Sequence, residues 1–124
     1  MTKLMIVDDS STMRKIIARI LRQAEISVDA ILEAGNGLEA LEHLAAHSDI
    51  DLILSDVNMP EINGPELVKR VRETHNSQTL PIIMVSTEGG ETMREHALHA
   101  GANGYIRKPF TSNSVGAVLQ PFIQ

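Results

Sequence analysis

Short, unbroken apolar runs alternate along this chain with longer stretches in which apolar residues recur every three or four positions. Leu4 to Val7 is apolar throughout and stops at Asp8 and Asp9. Leu52 to Leu54 stops at Ser55 and Asp56, and Ile82 to Val85 is entered through Pro81 and stops at Ser86 and Thr87. Runs this short, with no polar residue at alternate positions, predict strands covered on both faces, as in a parallel sheet between two helical layers. Val28 to Ala34 predicts a weaker strand and Gly104 to Arg107 a short one.

The stretches between them predict helices. Met13, Ile16, Ile17, Ile20 and Leu21 follow the i, i+3, i+4, i+7, i+8 spacing of one helical face, with Ser10 or Ser11 available as the cap. Leu38, Leu41, Leu44 and Ala45 mark a second helix. Asn63-Gly64-Pro65-Glu66 reads as a third helix start, after which Leu67, Val68 and Val71 face inward. Glu91 to Ala100 forms a fourth, stopped by Gly101. Ser112 to Leu119 forms a fifth, weakened by Gly116 and ended by Pro121.

Five strands alternating with five helices predict an α/β fold, a doubly wound five-stranded parallel sheet with helices on both faces. The flavodoxin-like strand order 2-1-3-4-5 is the common five-strand solution, and its ligands sit beyond the carboxyl ends of strands 1 and 3. That rim is where the polar residues gather: Asp8 and Asp9 after strand 1, Asp56 after strand 3, Ser86 and Thr87 after strand 4, Lys108 after strand 5. One acid at a strand end is more often a cap or turn residue; six residues from four strand ends at one switch point form a site.

Composition narrows what that site does. The 124 residues suit a single domain, 1–124, with no room for a second of ordinary size. With 11 Lys and Arg against 16 Asp and Glu, the net charge of −5 speaks against a polyanion-coating surface, and three aromatic residues against base stacking on nucleic acid. The absence of Cys excludes thiolate chemistry and Cys-held metals. The apolar run before Asp8 is only four residues long, too short for a signal peptide core or a membrane span, so a soluble cytoplasmic domain is expected.

Carboxylates crowded together repel, and a hard divalent cation relieves the repulsion; oxygen ligands suit Mg²⁺. Carboxylates, a Lys and a hydroxyl are what phosphoryl transfer to an Asp requires: a nucleophile, and positive charge and a hydrogen-bond donor for the phosphoryl oxygens.

Val7-Asp8-Asp9-Ser10-Ser11-Thr12-Met13-Arg14 resembles the opening of response-regulator receiver domains, Ser55-Asp56-Val57-Asn58-Met59-Pro60 their phosphoacceptor segment, and Gly101 to Phe110 their last strand and Lys-Pro turn. The resemblance runs over essentially the whole chain. It implies that Asp56 accepts phosphate from a histidine kinase or phosphotransfer domain, catalysing only its own phosphorylation and dephosphorylation. Asp8, Asp9, Asp56 and the backbone carbonyl of Asn58 would hold Mg²⁺, and Ser86, Thr87 and Lys108 would bind the phosphoryl group. Ser86 and Tyr105 would switch the face made by helix 4, strand 5 and helix 5. Asn58 and Glu88 resemble the pair that tunes dephosphorylation in stand-alone chemotaxis regulators. The implied target is a protein, a flagellar motor switch among the candidates, bound by a monomer without nucleic acid or membrane insertion. A phosphorelay or kinase-feedback receiver is the alternative. The resemblance also implies a cis Lys108–Pro109 bond.

Departures from the family pattern are Val57 beside the acceptor, Asn63 before Gly64, Thr87 after Ser86, and Pro121 soon after helix 5. A small-molecule phosphatase would need an acid just after the nucleophile, where Val57 and Asn58 stand. A flavodoxin would need aromatics around its flavin and a phosphate loop free of Asp8-Asp9. Arg14, Lys15, Arg19 and Arg22 on helix 1 read as a solvated face, or as a docking surface for an acidic partner. His43 and His47, and His96 and His99, read as surface histidines for want of a third ligand. Met59 is expected to pack against helix 3.

Overall fold

The computed structural model describes residues 3–24, 28–57, 59–86, 91–107 and 112–122. Its elements are β1 (Lys3–Val7), α1 (Ser11–Gln23), β2 (Ala30–Ala34), α2 (Gly37–Ala46), β3 (Leu52–Asp56), α3 (Gly64–Arg72), β4 (Ile82–Ser86), α4 (Glu91–Ala100), β5 (Gly104–Arg107) and α5 (Ser112–Leu119). A 3₁₀ turn over Gln120–Phe122 follows α5 and carries Pro121. The strands pair in parallel in the order β2-β1-β3-β4-β5, as the sequence pattern predicts.

The apolar runs are buried because alternate residues enter different helical layers. Leu4, Ile6, Leu52, Leu54, Ile83 and Val85 pack with Ile17 and Leu21 of α1 and with Val115 and Leu119 of α5. Met5, Val7, Ile53, Ile82 and Met84 pack with Leu44 of α2, Leu67, Val68 and Val71 of α3, and Ala97 of α4. Met59 joins this second cluster, which includes Leu67, Val68 and Val71 of α3. Each fully buried Leu or Ile contributes roughly 1.5–3 kcal/mol of transfer free energy, so the sheet is held from both sides.

Side-chain caps fix where the helices begin. The Ser10 hydroxyl accepts from the Met13 amide at 3.2 Å, and Asn63 accepts from the Glu66 amide at 2.9 Å. Asn36 caps α2 by accepting from the Glu39 amide at 2.8 Å, and Asn36-x-x-Glu39 has the capping spacing of a helix start. Gly101, at φ +115°, ends α4 in the conformation that excludes most side chains.

Four strand boundaries differ from the sequence expectation, the first being β1, which begins at Lys3 rather than Leu4. β2 begins at Ala30 rather than Val28, and as an edge strand it leaves Ala30 exposed and Ile31 and Leu32 half-buried. β3 runs two residues past Leu54, through Asp56, and β4 runs one past Val85, through Ser86. Their polar ends are therefore the last rungs of the hydrogen-bonded ladder, held by strand pairing.

Candidate metal centre at the sheet switch point

Register brings the acids together. Val7 of β1 pairs with Ser55 of β3, so Asp8, one residue on, comes level with Asp56. One carboxylate oxygen from each of Asp8, Asp9 and Asp56 lies within 4.8 Å of the others. Asp8 is buried at 2% exposure, Asp56 is half-buried and Asp9 is exposed, so the cluster opens to solvent on one side.

Backbone donors orient these carboxylates. Asp8 accepts from the Ser10 amide at 2.9 Å, and its own amide donates to the Ala34 carbonyl at 3.1 Å. Asp56 Oδ1 accepts from the Val57 amide at 2.9 Å, and the Ser55 hydroxyl donates to the Asp56 carbonyl at 3.0 Å. The Gly64 amide donates to the Val57 carbonyl at 2.8 Å, which seats the start of α3 against the end of β3.

The donor set fits a hard divalent cation. It is all oxygen, it is anionic, and three donors converge on one point. Oxygens this close could share one Mg²⁺, either directly or with a water between. Among the described residues this is the one group of three or more acidic or His side chains close enough to share an ion. His43 and His47 do not form another. His43 Nε2 lies 3.1 Å from the Glu33 carbonyl, and His47 Nδ1 lies 3.2 Å from Lys3 Nζ, which also pairs with Asp49 at 3.1 Å. That ammonium holds the exposed Asp49 carboxyl below its usual range, chiefly through the hydrogen bond from Lys3. His96 and His99 are exposed on α4.

Ser86 is fully buried at the end of β4, and Tyr105 on β5 is half-buried and packed against the α3–α4 side of the core. Asn58, Thr87, Glu88 and Lys108, together with the Lys108–Pro109 bond, lie outside the described residues. Of the predicted site, the structure thus brings together Asp8, Asp9 and Asp56 and sets Ser86 on the strand next to Asp56.

Arg14 does not belong with the solvated face assigned to it. Its side chain is 17% exposed; Nη1 donates to the Asp8 carbonyl at 2.6 Å and Nε to Glu33 Oε1 at 2.9 Å. Lys15, Arg19 and Arg22 are exposed as expected. Helical angle held the clue: at about 100° per residue, those three lie roughly 140–160° around the helix from buried Ile17, whereas Arg14 lies only about 60° away.

Comparison with known proteins gives a consistent pattern. The profile of a family described as "Response regulator receiver domain" matches residues 4–120. The chain is 50% identical over 109 residues to chemotaxis protein CheY1 of Helicobacter pylori, covering 88% of this chain and 86% of that relative. The structure of chemotaxis regulator CheY4 of Vibrio cholerae superposes with a TM-score of 0.86 at 33% identity, covering 99% of each chain. CheY in a CheX–CheY–BeF₃–Mg²⁺ complex from Borrelia burgdorferi superposes with a TM-score of 0.82 at 26% identity, covering 99% of this chain and 90% of that one.

Proposed function

The chain belongs to the response regulator receiver domain family, and we propose that it is a CheY-like signalling switch thrown by phosphorylation of Asp56. Receivers of this kind are signalling proteins rather than enzymes acting on a separate substrate. The observation that carries the reading is the convergence of Asp8, Asp9 and Asp56 at the carboxyl ends of β1 and β3.

In the proposed reaction an Asp56 carboxylate oxygen attacks the phosphorus of a phosphohistidine on a histidine kinase or phosphotransfer domain. The O–P bond forms as the P–N bond breaks, and the imidazole leaves with a proton. Mg²⁺ suits the oxygen donors and, when bound, neutralises charge on the phosphoryl oxygens. Asp9, Asp56 and the Asn58 carbonyl would hold it directly, and Asp8 mainly through water. The Ser86 and Thr87 hydroxyls and the Lys108 ammonium are assigned to the remaining phosphoryl oxygens. Hydrolysis of the aspartyl phosphate resets the switch, at a rate tuned by Asn58 and Glu88.

An aspartyl phosphate adds charge and acceptor oxygens beside Ser86. Movement of Ser86 toward it, with Tyr105 turning inward, would remodel the face of α4, β5 and α5, where Leu98 is 40% exposed. The reading includes a stand-alone, monomeric receiver acting in the cytoplasm on a chemotaxis target such as a flagellar motor switch. Among the described residues no helix is long and apolar enough to cross a membrane.

Acetyl phosphate with Mg²⁺, followed by intact-protein mass spectrometry, tests the proposal. One phosphoryl adduct is expected on the wild type and none on Asp56→Asn. An adduct that persists in Asp56→Asn would overturn the acceptor assignment, and no adduct on the wild type would overturn the reaction.

A further inference from the structure

The Asp8–Asp9 turn is held by more than its carboxylates need for themselves. The Asp8 amide donates to the Ala34 carbonyl, extending the β1–β2 ladder by one rung, and the Asp8 side chain accepts from the Ser10 amide. The remaining backbone group, the Asp8 carbonyl, accepts from the charged guanidinium of Arg14 at 2.6 Å. Arg14 is fixed at both ends. Its amide donates to the Ser10 carbonyl at 3.0 Å in the first turn of α1, and its guanidinium is anchored at 2.9 Å by Glu33 of β2. Turn, helix start and edge strand thus form one closed hydrogen-bonded unit.

The bonded carbonyl belongs to the peptide that joins Asp8 to Asp9. A peptide is planar, so fixing its oxygen fixes the plane, and with it the direction in which Asp9 leaves Asp8. Asp9 is exposed and has no burial to orient it. We propose that Arg14, anchored by Glu33, is a positioning residue that sets the Asp8–Asp9 peptide for cation binding. The inference rests on the metal reading given above and extends it to residues outside the acidic cluster.

Two effects of Arg14 on a bound cation have opposite signs, which makes the idea testable. As a nearby positive charge it repels a divalent ion; as a clamp it pre-organises the ligands. If charge alone matters, Arg14→Met tightens Mg²⁺ binding. If positioning dominates, Arg14→Met weakens it, by about 10-fold, the low end for partners that orient a metal ligand, because lost repulsion offsets part of the effect. Arg14→Lys keeps the charge but loses the planar two-donor fork, and is expected to fall between wild type and Arg14→Met.

The experiment is calorimetric Mg²⁺ titration of wild type, Arg14→Met and Arg14→Lys, with amide hydrogen exchange of each metal-free protein. Expected are weaker Mg²⁺ binding in Arg14→Met and faster exchange confined to the amides of Asp8, Asp9 and Ser10. Unchanged or tighter Mg²⁺ binding in Arg14→Met, or unchanged exchange at those amides, would overturn the clamp. A wild type that binds no Mg²⁺ would overturn the metal reading instead, while the exchange measurement still decides whether Arg14 orders the turn.

Discussion

A Cβ atom built on Gly64 would lie 2.5 Å from the backbone carbonyl oxygen of Asp56. The first residue of α3 therefore touches the backbone of the proposed phosphoacceptor, with no room for a methyl group between them. The same Cβ would lie 2.9 Å from Val57 Cα and collide with the Met84 terminal methyl. Backbone on one side and a packed core on the other leave no inexpensive way to yield.

Gly64→Ala is accordingly expected to destabilise the fold by about 2–3 kcal/mol, the upper part of the range for overpacking. At this size that lowers the melting temperature by roughly 10 °C. Any relief by backbone movement must shift Asp56 itself, so phosphorylation from acetyl phosphate should slow even at temperatures where the variant is fully folded. A variant with wild-type melting and wild-type phosphorylation would show that the contact is slack.

Glu61, in the same β3–α3 loop, has φ +66°, the left-handed region that costs an ordinary side chain about 1–2 kcal/mol. The tight turn demands it: the Ile62 amide donates back to the Pro60 carbonyl at 2.8 Å, which leaves the exposed residue between them no extended alternative. Asn tolerates this conformation better than Glu does. Glu61→Asn should therefore stabilise the protein by about 0.5–1 kcal/mol in urea denaturation, with an unchanged slope. A loss of stability would mean that the Glu61 side chain makes a compensating contact.

At the opposite pole Arg72 ties three elements together. Its guanidinium donates to the carbonyls of Gly101 at 2.9 Å and Leu80 at 2.8 Å and to Asn103 Oδ1 at 2.8 Å, and Asn103 also accepts from the Ile82 amide. Arg72→Met leaves these acceptors without their donors and should cost about 2–3 kcal/mol. Arg72→Lys should recover little, because one ammonium cannot replace a planar fork. Burial pulls the Arg72 pKa down from its ordinary value. A base whose folded pKa is the lower one loses protons on folding only at strongly alkaline pH, so the cost of Arg72→Met should be the same at pH 6 and pH 9. A pH-dependent difference between wild type and variant over that range would contradict this account.

How legible these features were in the sequence depends on how far apart in the chain their causes lie. Strand order, helix faces and the gathering of Asp8, Asp9 and Asp56 could be read because each apolar run ends in its polar residues, and the fold brings those ends to one rim. Ser55 and Asp56 were expected just beyond a strand, yet both are in it, because pairing with β1 and β4 carries the ladder past the last apolar residue. The helical angle turns Arg14 toward the buried face, but its partner Glu33, nineteen residues away on the neighbouring strand, is not visible in any local pattern. The Gly64 contact and the Arg72 ties were silent for the same reason: their partners are set by packing, and no local pattern announces them.

The acidic cluster should also carry a measurable stability cost of its own. Three carboxylate oxygens within 4.8 Å repel one another when no cation lies between them, and the exposed Asp9 contributes least to packing. In metal-free buffer, Asp9→Asn removes one charge while keeping the shape, and should raise stability by about 0.5–1 kcal/mol, as expected for relief of repulsion in a partly solvated site. Adding Mg²⁺ should raise the melting temperature of the wild type progressively with concentration, since an ion that binds only the folded state stabilises it by mass action. In Asp9→Asn that rise should largely vanish. The two proteins would thus exchange rank, the variant melting higher without Mg²⁺ and the wild type gaining on it as Mg²⁺ is added. Parallel responses to Mg²⁺ would show that Asp9 is not among the groups that hold the ion.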